Sequence, residues 1–199
     1  ALLSRTASLA ASHALTGMEF AAGIPGTIGG AVVMNAGAYG GEMRDIIETV
    51  TVLDETGVQH VLSVEELELG YRTSCILKKH YIVTQAVLKL AAGEEQAIRA
   101  RMKELATQRA EKQPIEYPSA GSTFKRPEGY FAGKLIMDAG LRGYRVGGAQ
   151  VSQKHCGFVI NTGDATAQDI RMLIADVSAA VDRQFQVKLE PEIKMLGEF

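Results

Sequence analysis

The pattern of apolar residues along the chain predicts alternating helices and strands. Residues 2–15 are rich in Ala, Leu and Ser, and their apolar positions predict a helix that ends before Gly17. Residues 46–53 are rich in β-branched side chains, and a turn signal at 54–57 separates them from the apolar stretch 58–62. This pair of stretches predicts a β-hairpin.

Two further elements follow the hairpin. Ser63, with Glu66 three positions later, predicts a helix cap and a first helical turn in a segment that ends at Gly70. Residues 81–90 alternate between apolar and polar side chains, which predicts a strand. The residues expected to share its apolar face are Ile82, Ala86, Leu88 and Leu90.

The composition changes after residues 91–93, where a highly charged stretch begins. Residues 94–111 carry Ile98, Met102 and Leu105 at helical spacing, which predicts an amphipathic helix. We therefore predict two domains, over residues 1–92 and 93–199, and expect this helix to open the second one.

The second half of the chain also mixes helices with strands. The pattern predicts a helix over 132–139, a buried strand over 157–161 and a long helix that begins at a capping box near 166–169. Residues 187–196 predict a closing strand that Pro191 interrupts. The fold class expected from these elements is α+β.

Glycines are unusually dense near the N-terminus, at positions 23, 26, 29 and 30 and again at 37, 40 and 41. The spacing does not match the G-x-G-x-x-G fingerprint of a dinucleotide-binding domain, nor a Walker A loop. Bare backbone lets N–H groups surround an anion, or lets a planar cofactor approach closely. Tight turns between small strands are the alternative interpretation.

Residues 119–127 combine Gly121, Ser122, Phe124 and two cations before Pro127. Glycine frees the backbone, and proline removes a hydrogen-bond donor, so this composition predicts a shaped loop instead of a strand or a helix. Such a loop could present the Ser122 hydroxyl beside the cations to an anionic ligand. A surface turn with solvated charges fits the same residues.

Composition and charge narrow the function classes. The chain has 199 residues, of which 46% are hydrophobic and 22% charged, as in an ordinary globular protein. A net charge of -2 argues against a general nucleic-acid binder. Cys75 and Cys156 form no C-x-x-C motif and predict free thiols in a reducing compartment. No apolar run is long enough to span a membrane, and the start at Ala1 leads us to expect a fragment or a processed form.

Three isolated charged residues are further candidates for a site: Arg72 between a helix and a strand, Glu192 beside Pro191, and Lys112 at a helix end. Each has a structural alternative as a solvated surface charge or, for Lys112, as a cation that favours a helix C-terminus. The four histidines show no metal-ligand spacing, so we predict no metal site, and a structural role for His155. Ser122 does not lie in the G-x-S-x-G motif of serine hydrolases.

Taken together and in order, four motifs resemble the MurB family of UDP-N-acetylenolpyruvoylglucosamine reductases. The resemblance covers essentially the whole chain. The motifs are G-I-P-G-T-I-G-G-A at 23–31 with N-A-G-A-Y-G at 35–40, Y-R-T-S at 71–74, G-S-T-F-K at 121–125, and E-P-E-I at 190–193. The short passage after Arg72 is similar to the subtype that lacks an inserted substrate-capping loop.

The resemblance implies the remainder of a FAD-binding domain of the vanillyl-alcohol-oxidase type, followed by a MurB-type substrate domain. It implies an N-terminally truncated chain, because no counterpart of the family's first subdomain is found. It also implies FAD and NADPH as cofactors, UDP-N-acetylenolpyruvoylglucosamine as the substrate, peptidoglycan precursor synthesis and a cytoplasmic location. No protein partner can be inferred from it.

The resemblance also assigns residue roles. Ser122 would donate a proton, while Arg72 and Glu192 would stabilise the enol-like state of the substrate. The residues expected to contact FAD are Gly23, Ile24, Pro25, Gly26, Gly29, Gly30, Ala31, Asn35, Gly37 and Ala38. The residues expected to bind substrate are Tyr71, Lys112, Gly121, Lys125 and Arg126. We expect Ser122, Arg72 and Glu192 to converge on one cleft.

Two other functions remain open at this stage. One is a different FAD oxidoreductase of the same superfamily, which the glycine-rich segments alone would fit. The other is a flavin-free module that binds a nucleotide sugar.

Overall fold

The computed structural model describes residues 1–197, and these residues divide into two compact units. The first unit is Ala1–Arg109, and the second begins at Ala110. Glu198 and Phe199, the last two residues of the predicted second domain, lie outside the described residues. No helix within residues 1–197 is long and apolar enough to cross a membrane.

The first unit combines short helices with antiparallel strands. Its elements, in chain order, are α1 (Leu3–Ser12), β1 (Leu15–Thr16), a 3-10 helix (Glu19–Ala21), α2 (Ile28–Val33), β2 (Gly37–Ala38), β3 (Gly41–Glu42), a second 3-10 helix (Met43–Asp45), β4 (Ile47–Leu53), β5 (Gln59–Ser63), α3 (Cys75–Lys78), β6 (Ile82–Leu88), β7 (Ala91–Ala92) and α4 (Glu95–Lys112), which runs past the end of the unit.

A three-stranded antiparallel sheet, in the order β5–β4–β6, forms the centre of this unit. The predicted hairpin is confirmed, because β4 pairs with β5 along its length. Val50 and Val52 of β4 point into a core that also holds Leu3 of α1 and Val32 of α2. Packing one face of the sheet against these helices buries the alternating apolar side chains of β4.

The predicted common face of residues 81–90 is wrong at Ile82. The register of β6 against β4 shifts between Thr51 and Val52, which marks a β-bulge. A bulge adds one residue to a strand and reverses the side-chain alternation beyond it. Ile82 is therefore 64% exposed, while Ala86 and Leu88 pack against the core.

The helix α4 packs with the first unit, whereas the sequence led us to expect that it opens the second. Ile98 and Leu105 are buried on one side of α4, and Met102 packs against the core of the first unit. The high charge of α4 belongs to its solvent side and does not mark a division between the compact units. The domain boundary between residues 92 and 93 stays a prediction, because the division after Arg109 separates compact units and does not define domains.

The second unit combines two helices with one antiparallel sheet. Its elements after α4 are β8 (Ser119–Ser122), α5 (Ala132–Asp138), β9 (Arg145–Val146), β10 (Ala149–Val151), β11 (Phe158–Asn161) and α6 (Ala167–Phe185). The strand order is β8–β11–β10–β9. The apolar stripe of α6 supplies much of the core through Leu173, Ile174, Val177 and Val181. The helices predicted over 132–139 and from Thr166 onward are thereby confirmed.

Three local predictions are wrong. Residues 119–122 form the edge strand β8, and the shaped loop begins only after Ser122. Ser63 and Glu66 exchange the two bonds of a capping box, but the chain continues as turns and takes a left-handed conformation at Glu68, with φ +48°. Residues 187–196 form no strand within the described chain, apart from one isolated bridge between Phe124 and Pro191.

Candidate functional site

In the first unit, the glycine-rich segment leads into α2 and then into the hairpin of β2 and β3. Thr27 caps α2 by accepting a hydrogen bond from the Gly30 N–H at 3.2 Å. Gly26 has φ +128° and Gly40 has φ +88°, so glycine is needed at both turns. A Cβ at either position would meet nothing within 4 Å. The bare backbone at these two positions therefore faces open space.

Gly37 is needed for a different reason, since it lies against the neighbouring strand. A Cβ at Gly37 would come within 2.8 Å of the Gly41 carbonyl oxygen. The close pairing of β2 with β3 fixes the segment that contains Asn35, Gly37 and Ala38. The alternative interpretation, tight turns between small strands, therefore fits Gly40, which lies in the turn between β2 and β3. The backbone of Gly26 and Gly40 also has open space beside it.

Asn35 is the anchor of this segment, and its structural role was not predicted. Its side chain is buried and bridges two distant backbone groups, because Nδ2 donates to the Gly70 oxygen at 3.2 Å and Oδ1 accepts from the Arg44 N–H at 2.9 Å. Ser74 adds a second link by donating to the Val33 oxygen at 2.7 Å. These bonds tie the glycine-rich segment to the turn at 70–73.

Tyr71 and Arg72 form the tip of that turn. Gly70 and Thr73 pair on either side of them, and Arg72 has φ +54°, which is uncommon for a residue other than glycine. The Arg72 guanidinium lies 5.1 Å from the centre of the Tyr71 ring, and its Nη2 donates to the Gly37 oxygen at 3.4 Å. The structure thus brings the predicted residues Tyr71, Arg72 and Gly37 together.

In the second unit, the residues next to Ser122 pair with the segment that carries Glu192. Ser122 ends β8 opposite Phe158, and its side chain is exposed. The Thr123 carbonyl oxygen accepts a hydrogen bond from the Glu192 N–H at 2.9 Å, and Lys125 N–H donates to the Glu190 oxygen at 2.8 Å. The catalytic candidates Ser122 and Glu192 therefore lie on neighbouring, hydrogen-bonded segments.

Thr123 holds this arrangement to the sheet and is a positioning residue that the sequence did not single out. It is buried, and its Oγ1 accepts a hydrogen bond from the Val159 N–H at 3.0 Å. Its own N–H donates to the Gly157 oxygen at 2.9 Å. The G-S-T-F-K motif names Thr123, but only the paired strand reveals what it does.

Two of the predicted substrate-binding cations, Lys125 and Arg126, have partners of their own. Lys125 forms an ion pair with Glu190. The Arg126 guanidinium stacks over the Phe131 ring at 4.0 Å. Lys112 is the last residue of α4 and is exposed. Gly121, with φ +86°, lies between Ser122 and the exposed Ser119 and forms part of the irregular pairing of β8 with β11.

His155 and the cysteines have structural environments. His155 packs edge-on against Phe158, its Nδ1 accepts from the Gly157 N–H at 3.0 Å, and desolvation lowers its pKa. Cys75 and Cys156 are free thiols, as predicted, and both are buried, which raises the pKa of both thiols. Neither thiol has the depressed pKa of a nucleophile.

The predicted site residues therefore form two groups. Tyr71, Arg72 and the glycine-rich segment belong to the first unit, while Gly121, Ser122, Lys125, Arg126 and Glu192 belong to the second. The convergence of Ser122, Arg72 and Glu192 on one cleft stays a prediction.

Comparison with known families gives two matches along the chain. Residues 113–196 match the family model described as UDP-N-acetylenolpyruvoylglucosamine reductase, C-terminal domain. Residues 6–63 match the family model of an FAD binding domain.

Individual relatives agree with these matches. A UDP-N-acetylenolpyruvoylglucosamine reductase from Agathobacter rectalis is 59% identical over 199 residues, which is 100% of this chain and 63% of that protein. One from Lachnoclostridium phytofermentans is 62% identical over 196 residues, 98% of this chain and 63% of that protein. The crystal structure of UDP-N-acetylenolpyruvylglucosamine reductase (MurB) from Thermus caldophilus superimposes with a TM-score of 0.83 at 40% identity. That match covers 96% of this chain and 69% of the solved chain. The chain thus spans somewhat less than two thirds of these two curated relatives.

Proposed function

Because the chain belongs to the UDP-N-acetylenolpyruvoylglucosamine reductase (MurB) family, we propose that it acts in the FAD-mediated reduction of UDP-N-acetylenolpyruvoylglucosamine to UDP-N-acetylmuramate. NADPH is the reductant in this proposal, and the reaction belongs to cytoplasmic synthesis of peptidoglycan precursors. The observation that carries the proposal is the backbone pairing of Thr123–Lys125 with Glu190–Glu192, which places the segment next to Ser122 beside the segment that carries Glu192 within one unit.

The glycine-rich segment fits a role in holding FAD. Gly26 and Gly40 present backbone without side chains to open space, as a close approach by a planar cofactor requires. We assign the contacts to Gly23, Ile24, Pro25, Gly26, Gly29, Gly30, Ala31, Asn35, Gly37 and Ala38. When bound, FAD would supply the redox chemistry, which is the transfer of a hydride from NADPH to the substrate.

Ser122 supplies the proton in this proposal. Hydride addition to the enolpyruvyl C=C bond breaks its π bond and leaves negative charge on the neighbouring carbon and the conjugated carboxylate. The Ser122 hydroxyl protonates that carbon, so that two new C–H bonds replace the π bond, and solvent returns a proton to Ser122. A positioned acid of this kind is worth ~10²–10⁴-fold in rate.

Arg72 and Glu192 stabilise the charge that develops on the substrate. A guanidinium is a permanent, fork-shaped donor, which suits the substrate carboxylate. Glu192 contributes through a hydrogen bond to the enol-like state, either directly or through water. The close approach of Arg72 to Gly37, in the FAD-contact segment, supports the assignment of Arg72.

Lys112, Lys125 and Arg126 bind the substrate's phosphates, and Tyr71 and Gly121 line the substrate site. The Lys125–Glu190 pair does not oppose this role, because Lys125 is 38% and Glu190 68% exposed. Exposed ion pairs contribute only about 0–1 kcal/mol, so a phosphate can compete for the ammonium group.

A turnover assay with NADPH and UDP-N-acetylenolpyruvoylglucosamine tests the proposal. We expect bound flavin, NADPH oxidation that depends on the enolpyruvyl sugar, and formation of UDP-N-acetylmuramate. Flavin that NADPH reduces but the enolpyruvyl sugar does not reoxidise would indicate a different FAD oxidoreductase. Protein without flavin that binds UDP-N-acetylglucosamine in calorimetry would indicate a nucleotide-sugar-binding module.

A further inference from the structure

The loop between β10 and β11 carries a lysine whose side chain reaches the C-terminal end of α4. Lys154 Nζ donates a hydrogen bond to the Ala110 carbonyl oxygen at 2.7 Å and lies 3.6 Å from a carboxylate oxygen of Glu116. Lys112, which the proposed function assigns to the substrate's phosphates, lies between these two contacts in sequence. All four residues belong to the second unit. The Lys154 ammonium thus holds both sides of the segment that carries Lys112.

The end of α4 lacks a donor of its own at this point. The last carbonyl groups of a helix have no intrahelical partner, and α4 ends at Lys112. In a longer helix, the N–H of residue 114 would bond to the Ala110 oxygen, but residue 114 is a proline and has no N–H. Lys154 supplies the missing donor. Its positive charge also suits the partial negative charge of a helix C-terminus.

The backbone of the loop that carries Lys154 is held by a buried side chain. Ser152 is 1% exposed, and its Oγ accepts hydrogen bonds from the N–H groups of Lys154 at 3.1 Å and of His155 at 3.3 Å. The Arg142 guanidinium donates to the Gln153 oxygen in the same loop. Because this backbone is already ordered, the contacts of the Lys154 side chain require less loss of conformational entropy than contacts from a mobile loop.

The other end of the same loop contacts the segment next to Ser122. The Gly157 carbonyl oxygen accepts a hydrogen bond from the Thr123 N–H at 2.9 Å. Residues 152–157 are therefore hydrogen-bonded both to the segment that carries Lys112 and to the residue that follows Ser122. This loop provides a common support for two segments that the proposed function assigns to the substrate.

Stability alone is a weak explanation for the contacts of Lys154. The side chains of Lys154 and Glu116 are 34% and 52% exposed, and exposed ion pairs contribute little to the free energy of folding. Fixing the segment between Ala110 and Glu116 has a clearer consequence. An ammonium group on an ordered segment binds an anion more tightly, because less freedom is lost on binding.

We propose that Lys154 is a positioning residue for Lys112. By holding the segment on both sides of Lys112, it fixes the place of that ammonium group and strengthens the binding of a diphosphate. The identification of the diphosphate as that of a UDP-sugar rests on the proposed function. Lys154 acts through Lys112 and does not itself contact the ligand.

Calorimetric titration of the purified protein with UDP-N-acetylmuramate tests the proposal. Lys154→Met removes the ammonium and keeps the aliphatic side chain, and we expect it to raise the Kd at least about fivefold, because Lys112 must then be ordered on binding. Lys154→Arg keeps a cationic donor and should leave the Kd within about twofold. In turnover, Lys154→Met should raise the KM for the enolpyruvyl sugar and change kcat less than about twofold.

A double-mutant cycle separates positioning from direct contact. If Lys154 acts through Lys112, then adding Lys154→Met to Lys112→Met should raise the Kd less than about twofold over Lys112→Met alone. A double variant whose loss of affinity is the product of the two single losses would show that Lys154 acts independently of Lys112, and would overturn the proposal.

Hydrogen exchange of the ligand-free protein tests whether Lys154 orders the segment. Lys154→Met should speed amide exchange within residues 110–117 at least about threefold, because the segment then opens more often. Lys78→Met is the matched control, since Lys78 is exposed and pairs with Glu68 at 2.8 Å in the first unit. It should change neither the exchange of residues 110–117 nor the Kd.

The outcomes separate this proposal from the proposed function. A Kd or an exchange rate that Lys154→Met leaves unchanged overturns the role of Lys154, even if the reductase assay succeeds. Wild-type protein that does not bind UDP-N-acetylmuramate contradicts the proposed function. It also overturns the role of Lys154 in binding the diphosphate, even if the exchange rates show that Lys154 orders the segment.

Discussion

Ser122 offers the sharpest test of chemistry at the scale of single residues. Its hydroxyl is exposed at the end of β8, while pairing with β11 fixes its backbone. Ser122→Ala should therefore preserve the fold and remove only the hydroxyl that we propose as the proton donor. We expect flavin reduction by NADPH to be nearly unchanged, while reoxidation by the enolpyruvyl substrate slows at least about a hundredfold. Stopped-flow absorbance resolves the two half-reactions.

Ser119→Ala is the control, because Ser119 is exposed on the same strand and its Oγ accepts a long, 3.4 Å hydrogen bond from the Gly121 N–H. Both half-reactions should keep their rates in that variant. Reoxidation at the normal rate in Ser122→Ala would remove Ser122 from the mechanism.

The residues named from the sequence were those whose chemistry is visible in a motif, such as Arg72 and Ser122. The hydrogen bonds that position them were not predicted, because these bonds join distant parts of the chain. Asn35 reaches Gly70, and Thr123 reaches Val159. A single sequence carries periodicity and short spacings, but such long-range hydrogen bonds leave no local pattern in it.

At the scale of elements, the strongest sequence signal was the capping box of α6. Thr166 Oγ1 accepts from the Asp169 N–H at 3.1 Å, and Asp169 Oδ2 accepts from the Thr166 N–H at 3.0 Å. Loss of such a cap costs about 0.5–2 kcal/mol. We expect Thr166→Ala to lower the free energy of unfolding by about 1 kcal/mol, measured as a lower urea midpoint by circular dichroism.

Gln168→Ala provides the comparison within the same helical turn, since Gln168 is exposed. That substitution should change the free energy of unfolding by less than about 0.5 kcal/mol. Equal effects of the two substitutions would show that the cap does not stabilise α6.

Periodic elements were predictable, and elements formed by pairing alone were not. The apolar stripe of α6 and the alternation of apolar and polar side chains in β4 could be recognised in the sequence, because each element buries one regular face. The edge strand β8 has the composition of a loop and becomes a strand only through its hydrogen bonds to β11. Ile82 was misplaced for a related reason, since a bulge is set by the partner strand.

At the scale of the whole molecule, the two compact units each have a core. The core of the first unit includes Val50 and Val52, and the core of the second is built around α6. The sequence predicted an α+β chain with two parts, and the matched family models cover both parts. The change in charge after Gly93 suggested a boundary there. Charged side chains indicate that a helix faces solvent, but they do not indicate which unit its apolar side packs against.

The two candidate boundaries predict different behaviour for two shortened chains. A chain of residues 110–199 keeps the apolar residues of the second core, which lie between Phe124 and Ile193. A chain of residues 93–199 also carries Ile98 and Leu105, which are 5% exposed each in the intact chain. Without the first unit these side chains should become exposed. We therefore expect residues 110–199 to unfold cooperatively, and residues 93–199 to bind more anilinonaphthalene sulfonate and to aggregate sooner.

The double variant Ile98→Gln and Leu105→Gln in residues 93–199 isolates the cause. It should reduce the extra dye binding, because it replaces the two buried apolar side chains of α4 with polar ones. The opposite result would be a 93–199 chain that is monomeric and more stable than the 110–199 chain. That result would support the sequence-based prediction that α4 belongs to the second domain, because the apolar side chains of α4 would then pack within residues 93–199.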